Sequence, residues 1–425
     1  MDELEFRLGS WEQADSVAAA DTVCRTAFSL FVGTRNLTKN ENLWTRAVEN
    51  HVVLSVHPLA EWLLHSWWRL LWEPEPDTEA PEAEWRMAHE LASAGGGFVW
   101  PDVRFVSDRE SMRVTARLTR DPDPQSVRYI EYLDDSRVGL DAFQAEVMRF
   151  VETIVARVEE TGCESSVPDL WRQLQDEIVD PEAATWRRLE AELGFDPDEA
   201  PESEVEAAGL VAERLGAQTA SELIPAFGQG QRSAGVKRCH ELMAATGIAG
   251  RPDFVSDASN ALPSLTPPWK QGIVSASHLR SRLAGPDAKL ETAALCDLLG
   301  ISAKCFEAFR PPPGVPVGMA IADESSAYIF HPRKRGREDS RRYELARFVG
   351  DLSFVAGTEA SSLASTDFRT ARQAFQRAFA AELLCPAEGV RSVTAGFDGE
   401  EAEEVAAEHF GVSGYVVRHQ RMNTR

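Results

Sequence analysis

The sequence predicts a mostly helical α+β protein with more than one domain. Three observations carry that expectation. At 425 residues the chain is longer than one typical domain. Its first 138 residues mix alternating, strand-like stretches with short apolar helices. From about Leu140 the apolar residues recur at three- and four-residue spacing, the period of an amphipathic helix.

The elements follow in chain order. LEFRLG (4–9) and RVTARLTR (113–120) alternate apolar and polar side chains, as half-buried strands do. HPLAEWLLHSWWRLLW (57–72) reads as a strongly apolar helix. EPEPDTEAPEAE (73–84) follows it, and its prolines and carboxylates read as a solvated loop. A short helix over EWRMAHELASA then runs through a glycine turn into the strand of GGGFVWPDVRFV. Next come FQAEVMRFVETIVARVEE and VPDLWRQLQDEIV as helices. In DPEAATWRRLEAEL, the Asp-Pro start suits an N-cap with proline at the first helical position. FDPDEAPESEVE is an acidic break before EAAGLVAERLGA resumes the helical period. Residues 250–272, rich in Pro, Ser, Asn and Asp, read as a linker.

The last region opens with two short helices, SASHLRSRLAG and LETAALCDLLGIS. Two strands in PPPGVPVGMAIADESSAYIFHP follow, joined by a turn at ADESS. Helices are then expected over RYELARFVGDLSF, TARQAFQRAFAAELLCP and EEAEEVAAEHFG, with SGYVVRHQRM after them. The expected layout is therefore a Trp-rich α+β domain (1–138), a helical region (139–249), a linker (250–272) and a C-terminal domain (273–425).

Composition narrows the function classes. Hydrophobic residues at 43% and charged residues at 26% are ordinary for a globular protein. The net charge of −24 would repel phosphate on average, so non-specific nucleic-acid binding is not expected. There is no apolar run long enough to span a membrane, and no apolar h-region follows the acidic start, so a cytoplasmic protein is expected. The six cysteines are widely separated and form no CxxC pair, which implies neither a disulfide framework nor a zinc ribbon.

The motif search gives few catalytic signals. SAGGGFVW lacks the lysine and spacing of a phosphate loop, and no GxSxG nucleophile elbow is present. His-Glu dipeptides at His89 and His240 begin as HExxH would, but Ser93 and Ala244 stand where the second histidine belongs. Four of the nine histidines, His51, His57, His65 and His89, fall in the N-terminal region, so an enzyme with its site there stays open. The basic run at Arg333, Lys334, Arg335 and Arg337 is either a contact for an acidic or phosphorylated partner or a solvated loop. Trp67 and Trp68 are either a recognition surface or core packing.

The segment 270–425 resembles the ImmA/IrrE family of zinc metallopeptidase-like domains. The resemblance rests on segments that keep the family's order. The helix pair ending in LGIS is followed by a strand pair, then RRYELARFVGD stands where the family has RF-x-LAHE-x-GH. FAAELLCP (379–386) is close to the family's FAA-x-LLMP, and HFGVSGYVVRHQR stands at its short C-terminal ending. The resemblance implies a zincin-like fold. It also places the family's first zinc histidine at Arg347, its general-base glutamate at Phe348 and its second histidine at Asp351. Where the family carries its third ligand, Arg372, Gln373, Phe375 and Gln376 supply no carboxylate. Arginine cannot ligate a cation and phenylalanine moves no proton, so neither a bound metal nor another cofactor is expected.

The expectation is a catalytically inactive, metallopeptidase-like regulatory, sensor or adaptor protein that binds a protein partner, regulator or toxin-like. The family association suggests stress response, phage defence or toxin–antitoxin-like regulation. A DNA-associated regulator is a further alternative, though no helix-turn-helix is evident. Arg347 and Asp351, four residues apart on a helix, either pair with each other or both face solvent.

Overall fold

The computed structural model describes residues 1–12, 19–76, 78, 80–120, 125–228, 235–253, 266–322, 327–333, 336–356 and 362–422. It is about 53% helical with small antiparallel sheets. Contacts divide it into two compact units, Met1–Val205 and Glu206–Arg425.

The first unit contains β1 (Leu4–Trp11), α1 (Ala20–Val23), β2 (Arg25–Val32), β3 (Arg35–Asn36), β4 (Asn40–Asn42), β5 (Ala47–Glu49) and β6 (Val52–Ser55). It continues with α2 (His57–Trp72), α3 (Ala83–His89), β7 (Asp102–Ser107), β8 (Ser111–Arg117), β9 (Val127–Tyr129) and β10 (Leu133–Gly139). Three helices follow: α4 (Leu140–Thr161), α5 (Val167–Val179) and α6 (Pro181–Glu192). The strands form three small sheets. In one, β2 pairs with β1, β3 and β6; the others run β10-β8-β7 and β5-β4-β9.

Local chemistry explains the helices. α2 is buried on nearly every face, as expected of a helix at the centre of a core. α4 buries one stripe, from Phe143 through Val147, Phe150, Val151 and Ile154 to Val158. It ends at Gly162, whose left-handed φ of 67° lets its N–H return to the Val158 carbonyl. Asp180 caps α6, its Oδ1 accepting from the N–H groups of Glu182 and Ala183 at 2.9 and 3.3 Å.

One boundary and one loop differ from the sequence expectation. Helices α4 to α6 share one hydrophobic core with the strands before them, so this unit extends past residue 138 to Val205. Amphipathic periodicity identifies the helices but not the surface their apolar stripe covers. The loop after α2 is not solvated at its start: Glu73 and Glu75 are buried among arginines, which a compositional reading of its carboxylates does not reveal.

The chain enters the second unit within α7 (Glu202–Leu215). Then come α8 (Ala217–Leu223), α9 (Lys237–Ala244), β11 (Ile248–Gly250), α10 (Pro268–Leu283), α11 (Thr292–Leu299) and α12 (Ala303–Ala308). The strand pair β12 (Gly318–Ala322) and β13 (Tyr328–His331) precedes α13 (Glu338–Val355), β14 (Leu363–Ser365) and α14 (Ala371–Leu384). The last helices are α15 (Ala387–Val393), α16 (Gly399–Phe410) and α17 (Gly414–Met422). One antiparallel sheet runs β11-β13-β12-β14.

β11 and α10 both take residues from the stretch read as a linker, and most of the ADESS turn lies outside the described residues. α14 is packed closely from two sides, each through a glycine. A Cβ on Gly272 of α10 would lie 2.4 Å from the Phe375 carbonyl oxygen, and one on Gly350 of α13 would lie 3.0 Å from the Phe379 ring. Among the described residues, no helix is long and apolar enough to cross a membrane.

Candidate functional site

α13 is buried from Arg342 to Val355 on almost every face, so its polar side chains must find partners inside the protein. Phe348 turns toward the sheet, where its ring meets that of Phe330 edge-on with centroids 5.5 Å apart. Arg347 and Asp351 both reach α14.

Neither alternative for Arg347 and Asp351 holds: both side chains are buried, and among the described residues they do not pair with each other. Asp351 is matched instead by the planar fork of Arg372, with Nε donating to Oδ1 at 2.7 Å and Nη2 to Oδ2 at 2.7 Å. It also accepts the Ala364 N–H of β14 at 2.8 Å. Two parallel charge-assisted bonds from a facing helix outweigh a single contact one turn along the same helix.

Arg347 is left with neutral partners. Its Nη2 donates to the Thr366 carbonyl at 2.6 Å and to Oε1 of Gln373, with Gln376 Oε1 at 3.4 Å. Asp367 brings a carboxylate oxygen only to 3.8 Å, and among the described residues Nε has no partner. Burial, followed by repulsion from Arg333, pushes the Arg347 guanidinium down to about 9. Burial also acts against Arg372, but Asp351 more than offsets it and holds that guanidinium above its ordinary value.

A second layer comes from α8, which the sequence placed in a separate helical region. Thr219 donates to the Ser362 carbonyl at 2.8 Å and accepts from Arg372 Nη1 at 3.3 Å. Glu222 Oε2 accepts from Thr370 Oγ1 at 2.8 Å and from Gln373 Nε2 at 2.9 Å. Nothing local in AQTASEL marks these roles, because they arise only when α8 meets β14 and α14. Beside this cluster, Arg333 is buried and fully engaged. It bonds both Glu344 oxygens at 3.1–3.2 Å, Asp367 at 2.6 Å and Ser365 at 3.2 Å.

This donor set does not fit a metal ion. A cation at Asp351 would face the Arg372 guanidinium, and the carboxylate has both oxygens committed. Among the described residues, no three His, Cys, Asp or Glu side chains are grouped so that they could hold one.

The other sequence candidates are dispersed. Trp67 and Trp68 are core residues rather than a recognition surface, and the Trp68 indole N–H is spent on Glu177 at 2.9 Å. Arg333 is an interior ion-pair partner rather than an exposed contact, because Glu344 and Asp367 draw it inward. Arg337 is exposed and pairs with Asp339, while Lys334 and Arg335 lie outside the described residues. Of the N-terminal histidines, His51 and His65 are exposed. His89 is fully buried, with its ring nitrogens 3.0 Å from the Phe105 carbonyl and 3.1 Å from Glu73, and His57 contacts Ser165. His240 bonds the Ala207 carbonyl at 2.9 Å.

No protein-family model, no curated protein and no solved structure matches the chain.

Proposed function

We propose that the second unit is a catalytically inactive, zincin-like domain of the ImmA/IrrE type, and that the chain acts as a regulatory or adaptor protein that binds a protein partner. One observation carries this reading. The positions that the resemblance assigns to zinc ligands hold a buried cluster of two arginines, two glutamines and one committed aspartate. Guanidinium groups occupy the place of a cation and donate where a metal would be ligated, so the cluster keeps the fold closed and performs no hydrolysis. The partner and the setting, whether stress response, phage defence or toxin–antitoxin-like regulation, follow from the family association alone.

The test is zinc analysis of the full chain purified with zinc present, together with Asp351→Ala. The expected result is sub-stoichiometric zinc in both proteins, and partner binding that survives a chelator. One zinc per chain, lost in Asp351→Ala, would overturn the reading.

A further inference from the structure

We propose that Ser165, His57 and Asp21 form a nucleophile, a general base and its orienting acid in the first unit, suited to acyl transfer from small carboxylic esters. His57 opens α2, Asp21 lies in α1, and Ser165 stands in the turn between α4 and α5. Ser165 Oγ is 2.8 Å from His57 Nε2, and Asp21 Oδ1 is 3.5 Å from Nδ1 on the other side of the ring. The Val167 N–H donates to Ser165 Oγ at 3.1 Å, which leaves the hydroxyl proton to point at Nε2. A neutral imidazole that accepts at Nε2 carries its own proton on Nδ1, toward Asp21. This is the arrangement in which a ring takes a serine proton while a carboxylate fixes its tautomer. The Asp21 contact is longer than a hydrogen bond, as such contacts often are before substrate draws them together. Capping α5 uses the Ser165 hydroxyl only as an acceptor and requires neither the imidazole nor the carboxylate.

The chemistry closes without a cofactor. Ser165 Oγ adds to the ester carbonyl carbon as its proton passes to His57 Nε2. The tetrahedral adduct collapses by breaking the bond to the alcohol oxygen, and the alcohol leaves with that proton. Water, deprotonated by the same ring, then attacks the acyl-serine, releases the acid and returns the proton to Oγ. The Ser166 N–H follows the nucleophile in sequence and makes no hydrogen bond among the described residues, so it is available to the oxyanion. Ser165 is half-buried and Asp21 exposed, so the site is open and suits short acyl groups. Glu61, bonded to Ser166 at 2.7 Å, and Asp21 favour neutral or cationic esters over phosphates. None of these residues belongs to the α13 cluster, and the proposal is independent of the inactive-peptidase reading.

The experiment exposes the full chain to a fluorophosphonate probe, maps the adduct by peptide mass spectrometry and measures p-nitrophenyl acetate hydrolysis. The expected result is a single adduct on Ser165. Hydrolysis should fall by about 10³-fold or more in Ser165→Ala and His57→Ala. As a positioning residue, Asp21 should show a lower kcat at unchanged KM in Asp21→Asn, with recovery in Asp21→Glu. If wild-type protein carries no adduct on Ser165, or if hydrolysis is undiminished in Ser165→Ala, the proposal is overturned. The wild-type labelling decides the matter even if a variant fails to fold.

Discussion

The two units each bury a polar cluster, and they do so in opposite ways. In the first, Glu73 is shared between Arg69 and His89, while Glu90 and Glu75 take the Arg104 and Arg113 guanidinium groups. Burial alone would raise the Glu73 carboxyl, yet His89 and Arg69 together hold it below its ordinary value. In the second unit Asp351 and Arg372 satisfy each other, but Arg347 meets the Asp367 carboxylate only at 3.8 Å and its Nε has no partner among the described residues. In the same unit His331 is buried, and among the described residues neither ring nitrogen is hydrogen-bonded. A matched cluster stabilises a fold in proportion to its geometry. An unmatched charge costs stability and persists only where the surrounding packing leaves it no alternative. The contrast is one of charge balance: the α13 cluster carries a guanidinium that its neighbours only partly match, while the Glu73 cluster is paired throughout.

The largest effect should come from breaking the Asp351–Arg372 pair between α13 and α14. Asp351→Ala leaves Arg372 charged and buried without a counter-ion, and should cost about 3–5 kcal/mol of unfolding free energy. Adding Arg372→Met should recover most of that loss, because the unpaired charge goes with it. The check is a double-mutant cycle by urea unfolding. Additive losses would mean that the two side chains are not coupled, and the comparison would fail.

How much of this cluster was legible beforehand follows from where its parts lie. Arg347, Phe348 and Asp351 could be singled out only because the resemblance of RRYELARFVGD to the ImmA/IrrE-type helix assigns roles to those positions. Arg372, Gln373 and Gln376 were visible as a stretch without a carboxylate. The pairing was not legible, because the choice between Arg347 and Arg372 for Asp351 depends on how α13 and α14 cross, and Gly350 sets that crossing. Thr219 and Glu222 were invisible for the same reason. The bounds of α2 and the Asp180–Pro181 start of α6 were legible because each is fixed by residues next to one another in sequence.

A smaller effect concerns the two buried histidines. His89 has an acceptor at each nitrogen, whereas burial without any partner holds His331 below its ordinary value of 6.5. The sign follows from proton counting. Below pH 6.5 the unfolded chain takes up a proton at His331 that the folded chain refuses, so stability is full above pH 6.5 and falls as the pH drops. Between pH 7 and pH 5 the loss attributable to this group should be at most about 2 kcal/mol, the limit set by the unfolded chain's protonation alone. His331→Leu should flatten that part of the profile measured by thermal unfolding. An unchanged acid limb would mean that His331 titrates normally in the fold.

The smallest effect is the most diagnostic, because intuition about removing a buried arginine predicts a large one. Arg347→Met removes a desolvated charge and keeps a side chain of similar length. The Thr366 carbonyl loses a donor, but Gln373 Oε1 still accepts the Thr366 N–H at 3.0 Å. The lost hydrogen bonds and the relieved desolvation are of similar size and opposite sign, so stability should change by less than about 1 kcal/mol in either direction. Arg372→Met, one helix away and equally buried, should cost several times more because it strands Asp351. If the two substitutions prove equally costly, Arg347 is as well matched as Arg372, and the contrast between the two buried clusters disappears.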